Sequence, residues 1–130
     1  MYKEGTVAIW LGYFEPIESL QGYLQVNYSE NVDFIDSQFE KDFAIEYFDE
    51  EMREIDYFSE IKNSISDILE NHSYGDSIIF NYTKMFGVEL DRGYNSLILY
   101  YNYSYSGLGK EIYIKKNLIK FIGNIDFNTD

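Results

Sequence analysis

Asn95-Ser96-Leu97-Ile98-Leu99-Tyr100-Tyr101-Asn102-Tyr103 is the stretch whose reading decides the fold of this 130-residue chain. Branched and aromatic side chains follow one another here, a composition that suits a pleated, packed strand. Working outward, Thr6-Val7-Ala8-Ile9-Trp10-Leu11 carries the same signal. Val7, Ile9 and Leu11 fall on one side, Ala8 and Trp10 on the other, and Gly12 is expected to end the strand. C-terminal to the deciding stretch, Ser104 to Gly109 reads as a turn region. Glu111-Ile112-Tyr113-Ile114 and Leu118-Ile119-Lys120-Phe121-Ile122 then read as a hairpin around Lys115-Lys116-Asn117, with the tail from Asn124 expected to fray. Val7, Ile9, Leu11, Leu97, Leu99 and Ile112 are therefore expected to be buried in one antiparallel sheet.

Helical patterns separate the first strand from the later ones. Glu15-Pro16 opens a short helix, because proline suits the first helical position and an acid suits the positive end. Ile17, Leu20 and Leu24 share its face, with Tyr23 beside them. Asn27 to Asn31 reads as a loop. Ser37 caps a segment in which Phe39 and Phe43 lie four apart, with Glu40 at the capping-box position. Ala44 to Tyr57 fits a strand and irregular coil alike. Ser59 is expected to start a helix on the spacing Ile61, Ile65, Ile68, Leu69, with Asn71 near its end. Tyr74 to Met85 reads as a second helix, with Ile78, Ile79, Tyr82 and Phe86 inward and Gly87 as its stop. Asp91-Arg92-Gly93 reads as a turn. A strand, then helices, then strands makes the class α+β: an antiparallel sheet of about four strands with helices packed against it. Residues 1–130 are expected to form a single domain, with no internal repeat and no linker.

Composition narrows the function. The chain is 45% apolar and 19% aromatic with a single proline, which supports folding. No run of about 18 uncharged apolar residues occurs, so no membrane-spanning helix is expected. Met1-Tyr2-Lys3-Glu4-Gly5 lacks a basic region leading into an apolar one and does not read as a secretory signal. The absence of cysteine excludes disulfides, a thiol nucleophile and thiolate metal sites, and suits a cytoplasmic location. A formal charge of −13 disfavours nucleic acid and anionic membranes, whose phosphates need Lys and Arg. It favours a basic partner, drawn in by long-range attraction.

Most of that charge lies in one stretch. From Glu30 to Glu60, twelve acids stand against Lys41 and Arg53, giving −10 of the −13. Phe34, Phe39, Phe43, Tyr47, Phe48, Tyr57 and Phe58 interleave with them, whereas disordered acidic tails are poor in aromatics. The stretch therefore reads as an ordered acidic surface with apolar anchors; a purely solubilising surface is the plainer alternative. Catalytic chemistry has weaker signals. His72 is the sole histidine, which removes any two-histidine zinc site. A Ser-His-Asp triad around it lacks a Gly-x-Ser-x-Gly elbow. Carboxylate pairs such as Asp49 with Glu54 could serve a small hydrolase working from the 46–56 segment, but any acidic protein supplies such pairs. Asp49-Glu50-Glu51 lacks the spaced loop of a calcium site, and Gly107-Leu108-Gly109-Lys110 is too short for a phosphate loop. No metal and no cofactor is expected. Trp10 reads as core, and the tyrosines at 100, 101, 103 and 105 as strand faces.

Several of these pieces line up together: Val7-Ala8-Ile9-Trp10-Leu11-Gly12-x-Phe14, Ser37-x-Phe39 with Asp42-Phe43, then Tyr47-x-Asp49-Glu50 and Glu54. Ser73-Tyr74 before a helix and Asn95 leading into Leu97-Ile98-Leu99-Tyr100-Tyr101 continue the pattern. From about Val7 to about Tyr103 the chain resembles the immunity protein 22 family of bacterial polymorphic toxin systems. The resemblance implies a small cytoplasmic α+β protein that neutralises a cognate toxin, often a nuclease, by binding it and not by catalysis. An acidic interaction module without an inhibitory role is a further reading. A nuclease is basic where it holds phosphate, so an acidic patch is a suitable occluding surface. The expected partner-binding residues are Asp33, Asp36, Glu46, Tyr47, Asp49, Glu50, Glu51, Glu54 and Asp56.

Overall fold

The computed structural model describes residues 1–25, 37–45 and 50–127, with Glu50 described by its backbone alone. The described residues form strand β1 (Tyr2–Tyr13), helices α1 (Ile17–Leu24) and α2 (Gln38–Asp42), and strand β2 (Arg53–Ser64). Helices α3 (Ile65–Leu69) and α4 (Gly75–Phe86) follow, then strands β3 (Glu89–Tyr103), β4 (Glu111–Ile114) and β5 (Asn117–Asp126). One turn of 3-10 helix, Glu50–Met52, leads into β2. The class is α+β with an antiparallel sheet, as expected, but the sheet has five strands where about four were expected. The added strand is β2, whose first part, to Tyr57, comes from the stretch left open by the sequence and whose remainder, from Ser59, comes from residues expected to be helical.

Strand order is β2-β3-β1-β5-β4, every neighbouring pair antiparallel. The deciding stretch lies in β3, paired to β1 in the register Ile9↔Leu99 and Leu11↔Leu97. Alternation then sorts the side chains into two cores. Val7, Ile9, Leu11, Leu97 and Leu99 point to the side covered by Ile65, Ile68 and Leu69 of α3 and Ile78 and Tyr82 of α4. Ala8, Trp10, Ile98, Tyr100 and Phe121 point to the side covered by Leu20, Tyr23 and Leu24 of α1 and Phe39 and Phe43 around α2. Trp10 is fully buried, its ring 4.9–5.9 Å from those of Phe39, Phe43, Tyr100, Tyr105 and Phe121. Ile112 is a correction: it is half-buried and packs with Trp10's core, not with Val7's.

Local signals explain the helix starts. The Ser37 hydroxyl accepts from the Glu40 amide, and the Glu40 carboxylate accepts in return from the Ser37 hydroxyl and the Ser37 backbone amide, so the expected capping box forms. Pro16 stands one residue ahead of its expected place, as the residue before α1. Ser59 does not start a helix. Residues 59–64 continue β2, Ile61 is 55% exposed, and Ser64 caps α3 by accepting from the Asp67 amide. Along α4, Ile78 and Tyr82 are buried as expected, Ile79 is half-buried, and Phe86 is largely exposed. Its stop at Gly87, with φ +92°, is as expected.

Three punctuation marks were misread. Gly12 lies inside β1. Asp91-Arg92-Gly93 lies inside β3; a Cβ on Gly93 would come 2.1 Å from Ile61 Cγ2, so this glycine permits a close strand approach in place of a turn. The tail from Asn124 does not fray as far as Phe127. The Asn124 side chain exchanges two bonds with the Tyr105 backbone, and the Phe127 amide donates to Gly5. The loop expected over Asn27–Asn31 lies outside the described residues.

Candidate functional site

β2 is held to β3 through Arg53↔Tyr100, Glu54↔Leu99, Ile55↔Ile98, Asp56↔Leu97 and Tyr57↔Ser96. Partners across a ladder share a face. Glu54 and Asp56 therefore lie on the α3–α4 side of the sheet, and Arg53, Ile55 and Tyr57 on the α1–α2 side. The period of two, which the sequence could not settle for this segment, separates one acidic run into two chemistries.

On the α3–α4 side, His72 reaches over from the link between the two helices. Its Nδ1 lies 2.8 Å from Glu54 Oε2 and its Nε2 lies 3.0 Å from Asp56 Oδ2. Both contacts are hydrogen bonds when the ring carries two protons. The imidazole is 12% exposed, while the two carboxylates keep 36% and 41% of their surface. The Tyr101 hydroxyl reaches the same Glu54 oxygen at 3.3 Å and the Ser73 carbonyl at 3.2 Å. Burial, and then the Glu54 charge, push the Tyr101 phenol well above its ordinary range. The sequence offers His72 only as a lone histidine; its tie to two acids from a distant strand has no spacing signature. The tie also bears on catalysis, because a triad needs one ring nitrogen for a serine and here both face carboxylates.

The α1–α2 side is more closed. Arg53 Nη1 comes within 4.0 Å of Glu40 Oε1, a carboxylate almost wholly buried. Burial raises the Glu40 pKa, against the lowering pull of the Ser37 hydrogen bond and the Arg53 charge. Tyr57 donates to the Phe14 carbonyl at 2.9 Å, where Asn95 also acts: its amide accepts from the Phe14 N–H at 3.0 Å and donates to the Phe14 carbonyl at 2.8 Å. Asn95 and Tyr57 thus tie the end of β1 to β2 and β3, and Asn95 reads as structural.

Of the expected partner-binding residues, the structure brings Glu54 and Asp56 together, and leaves Glu51 exposed at the entrance to β2. Asp33, Asp36, Glu46, Tyr47 and Asp49 lie outside the described residues, as do Phe34 and Phe48 and the Glu50 side chain. Among the described residues no group of three or more His, Asp or Glu is arranged to hold a metal ion, and no helix is long and apolar enough to cross a membrane.

No curated protein and no solved structure matches the chain. The family model described as Immunity protein 22 matches residues 7–128. That span begins within β1, at Val7, and runs past β5, so all of the described sheet except residues 2–6 of β1 lies within it. The chain belongs to the immunity protein 22 family.

Proposed function

We propose that this chain is an immunity protein that works in the cytoplasm as a single domain, binding a cognate protein toxin with a basic surface and neutralising it without catalysis. Membership of the family is the observation that carries the reading. The acidity of residues 30–60 supports the choice of surface, as does the half-exposed pair Glu54 and Asp56 on β2. Asp33, Asp36, Glu46, Tyr47, Asp49, Glu50 and Glu51 complete the proposed contact. A nuclease fits best among toxins, since an enzyme that grips phosphate carries the opposite charge to this surface. Carboxylates at the rim speed encounter, while any that become desolvated against toxin Lys or Arg hold the complex, at about 2–5 kcal/mol for a truncated buried pair.

The test is co-expression with the product of the adjacent gene, followed by size-exclusion chromatography. A single co-eluting peak, and survival of toxin-making cells only when this chain is made with the toxin, is the expected result. Separate elution of two folded proteins would overturn the reading.

A further inference from the structure

Among the described residues β2 is bonded on one side, to β3, so its other side is a sheet edge. Protected edges are short, broken by bulges, or guarded by lysine and proline. β4, at the opposite edge, fits that description: it has four residues and runs into Lys115 and Lys116. The far half of β2 fits it too, with register shifts on either side of Lys62. Arg53–Tyr57 is guarded by charge alone, at Arg53, Glu54 and Asp56, which disfavours an uncharged or acidic strand but not a basic one. Its register with β3 is unbroken, and Ile55, at its centre, is 42% exposed. The Tyr57 amide donates to the Asp56 carboxylate at 2.9 Å, the kind of side-chain acceptor that edge amides take where no second strand supplies a carbonyl.

We infer that the Arg53–Tyr57 edge of β2 receives an extended segment of the toxin as an added strand, with lysine or arginine at alternate positions facing Glu54 and Asp56 and apolar residues between them beside Ile55. The inference rests on the toxin-binding reading above and adds its mode. Backbone bonding supplies the affinity in strand addition and the alternating side chains supply the choice of partner. Charge selects the occupant. Residues 110–120, around β4, hold four bases and one acid, a net of +3, which leaves −16 for the rest of the chain. A basic strand is therefore drawn to the β2 end and turned away from β4.

The probe is a synthetic peptide of alternating lysine and valine, with the same peptide N-methylated along its backbone as control; methylation keeps the charge and removes the donors. Amide exchange of the full chain is followed with each. The parent peptide is expected to protect those amides of Arg53–Tyr57 that point away from β3, and the methylated one is not. Glu54→Gln with Asp56→Asn, which keeps the shapes and drops the charges, is expected to weaken binding about twofold to thirtyfold, as for two cross-strand ion pairs. Equal binding of the two peptides, protection elsewhere, or binding of neither overturns the strand mode. Self-association of the chain alone that already protects these amides overturns it in favour of a second copy. Co-elution with the neighbouring gene product is scored separately: if it persists while the peptide arm fails, toxin binding stands and strand addition falls.

Discussion

Asn95 does with one side chain what a neighbouring strand does with its backbone, accepting from and donating to the same residue, Phe14. Asn95→Asp would replace the donor by a second acceptor in a buried site, and is expected to cost about 1–3 kcal/mol of stability, read from the denaturant midpoint. Trp10 sits at the other extreme, holding its core by contact alone: Trp10→Ala is expected to cost about 3–5 kcal/mol, a large part of the stability of a domain this size. Glu40 offers a test by pH. Its pKa is raised in the fold, so the folded chain binds that proton more tightly than the unfolded one. The ionised form therefore weighs against folding at neutral pH, and relief comes as pH falls through the raised value. Glu40→Gln should melt higher than the natural chain at neutral pH, and the gap should close on acidification. A gap that widens instead would assign Glu40 a stabilising charge.

At the scale of elements, Ser64 is the decisive residue between β2 and α3. Ser64→Ala removes the acceptor for the Asp67 amide and should cost about 1 kcal/mol, whereas Ser59→Ala should cost almost nothing. The comparison shows what was legible. Both cores could be read from period-two alternation in β1 and β3, because both faces of a central strand are buried and each residue type is constrained. The last helix could be read from its spacing and its glycine stop. β2 could not, because an edge strand with one acid-bearing face breaks the alternation, and Ile61 happens to fall four before Ile65. The Ser64-x-x-Asp67 capping pattern would have placed the boundary. Gly93 and Gly12 misled for a shared reason: a residue that favours turns also serves inside a strand where backbones or side chains approach closely, and only the partner tells these uses apart. Of the candidate site, the acids were legible and His72's hold on two of them was not, since residues 16 and 18 positions apart in sequence meet there.

For the molecule as a whole, charge divides between an acidic portion that includes β2 and a basic one around β4. Association with a basic toxin should slow as salt rises, since exposed charges beyond about 8 Å are screened at physiological ionic strength. Reversing Asp49, Glu50 and Glu54 together should lower the on-rate, and Tyr47→Ala should speed dissociation if that ring is an anchor. Binding kinetics at two salt concentrations check both; unchanged affinity in both folded variants would leave the stretch a solubilising surface. The strand order carries one more consequence, in time and not in space. β1, made first, lies at the centre, and both of its neighbours, β3 and β5, come from residue 89 onward. At synthesis rates of roughly 5–20 residues per second, the first strand waits roughly 4–15 s on the ribosome before either neighbour exists. Until then Trp10 and the leucines around it have no sheet to enter. A nascent chain stalled before β3 should thus be fully open to protease, and one released after β5 should close all at once.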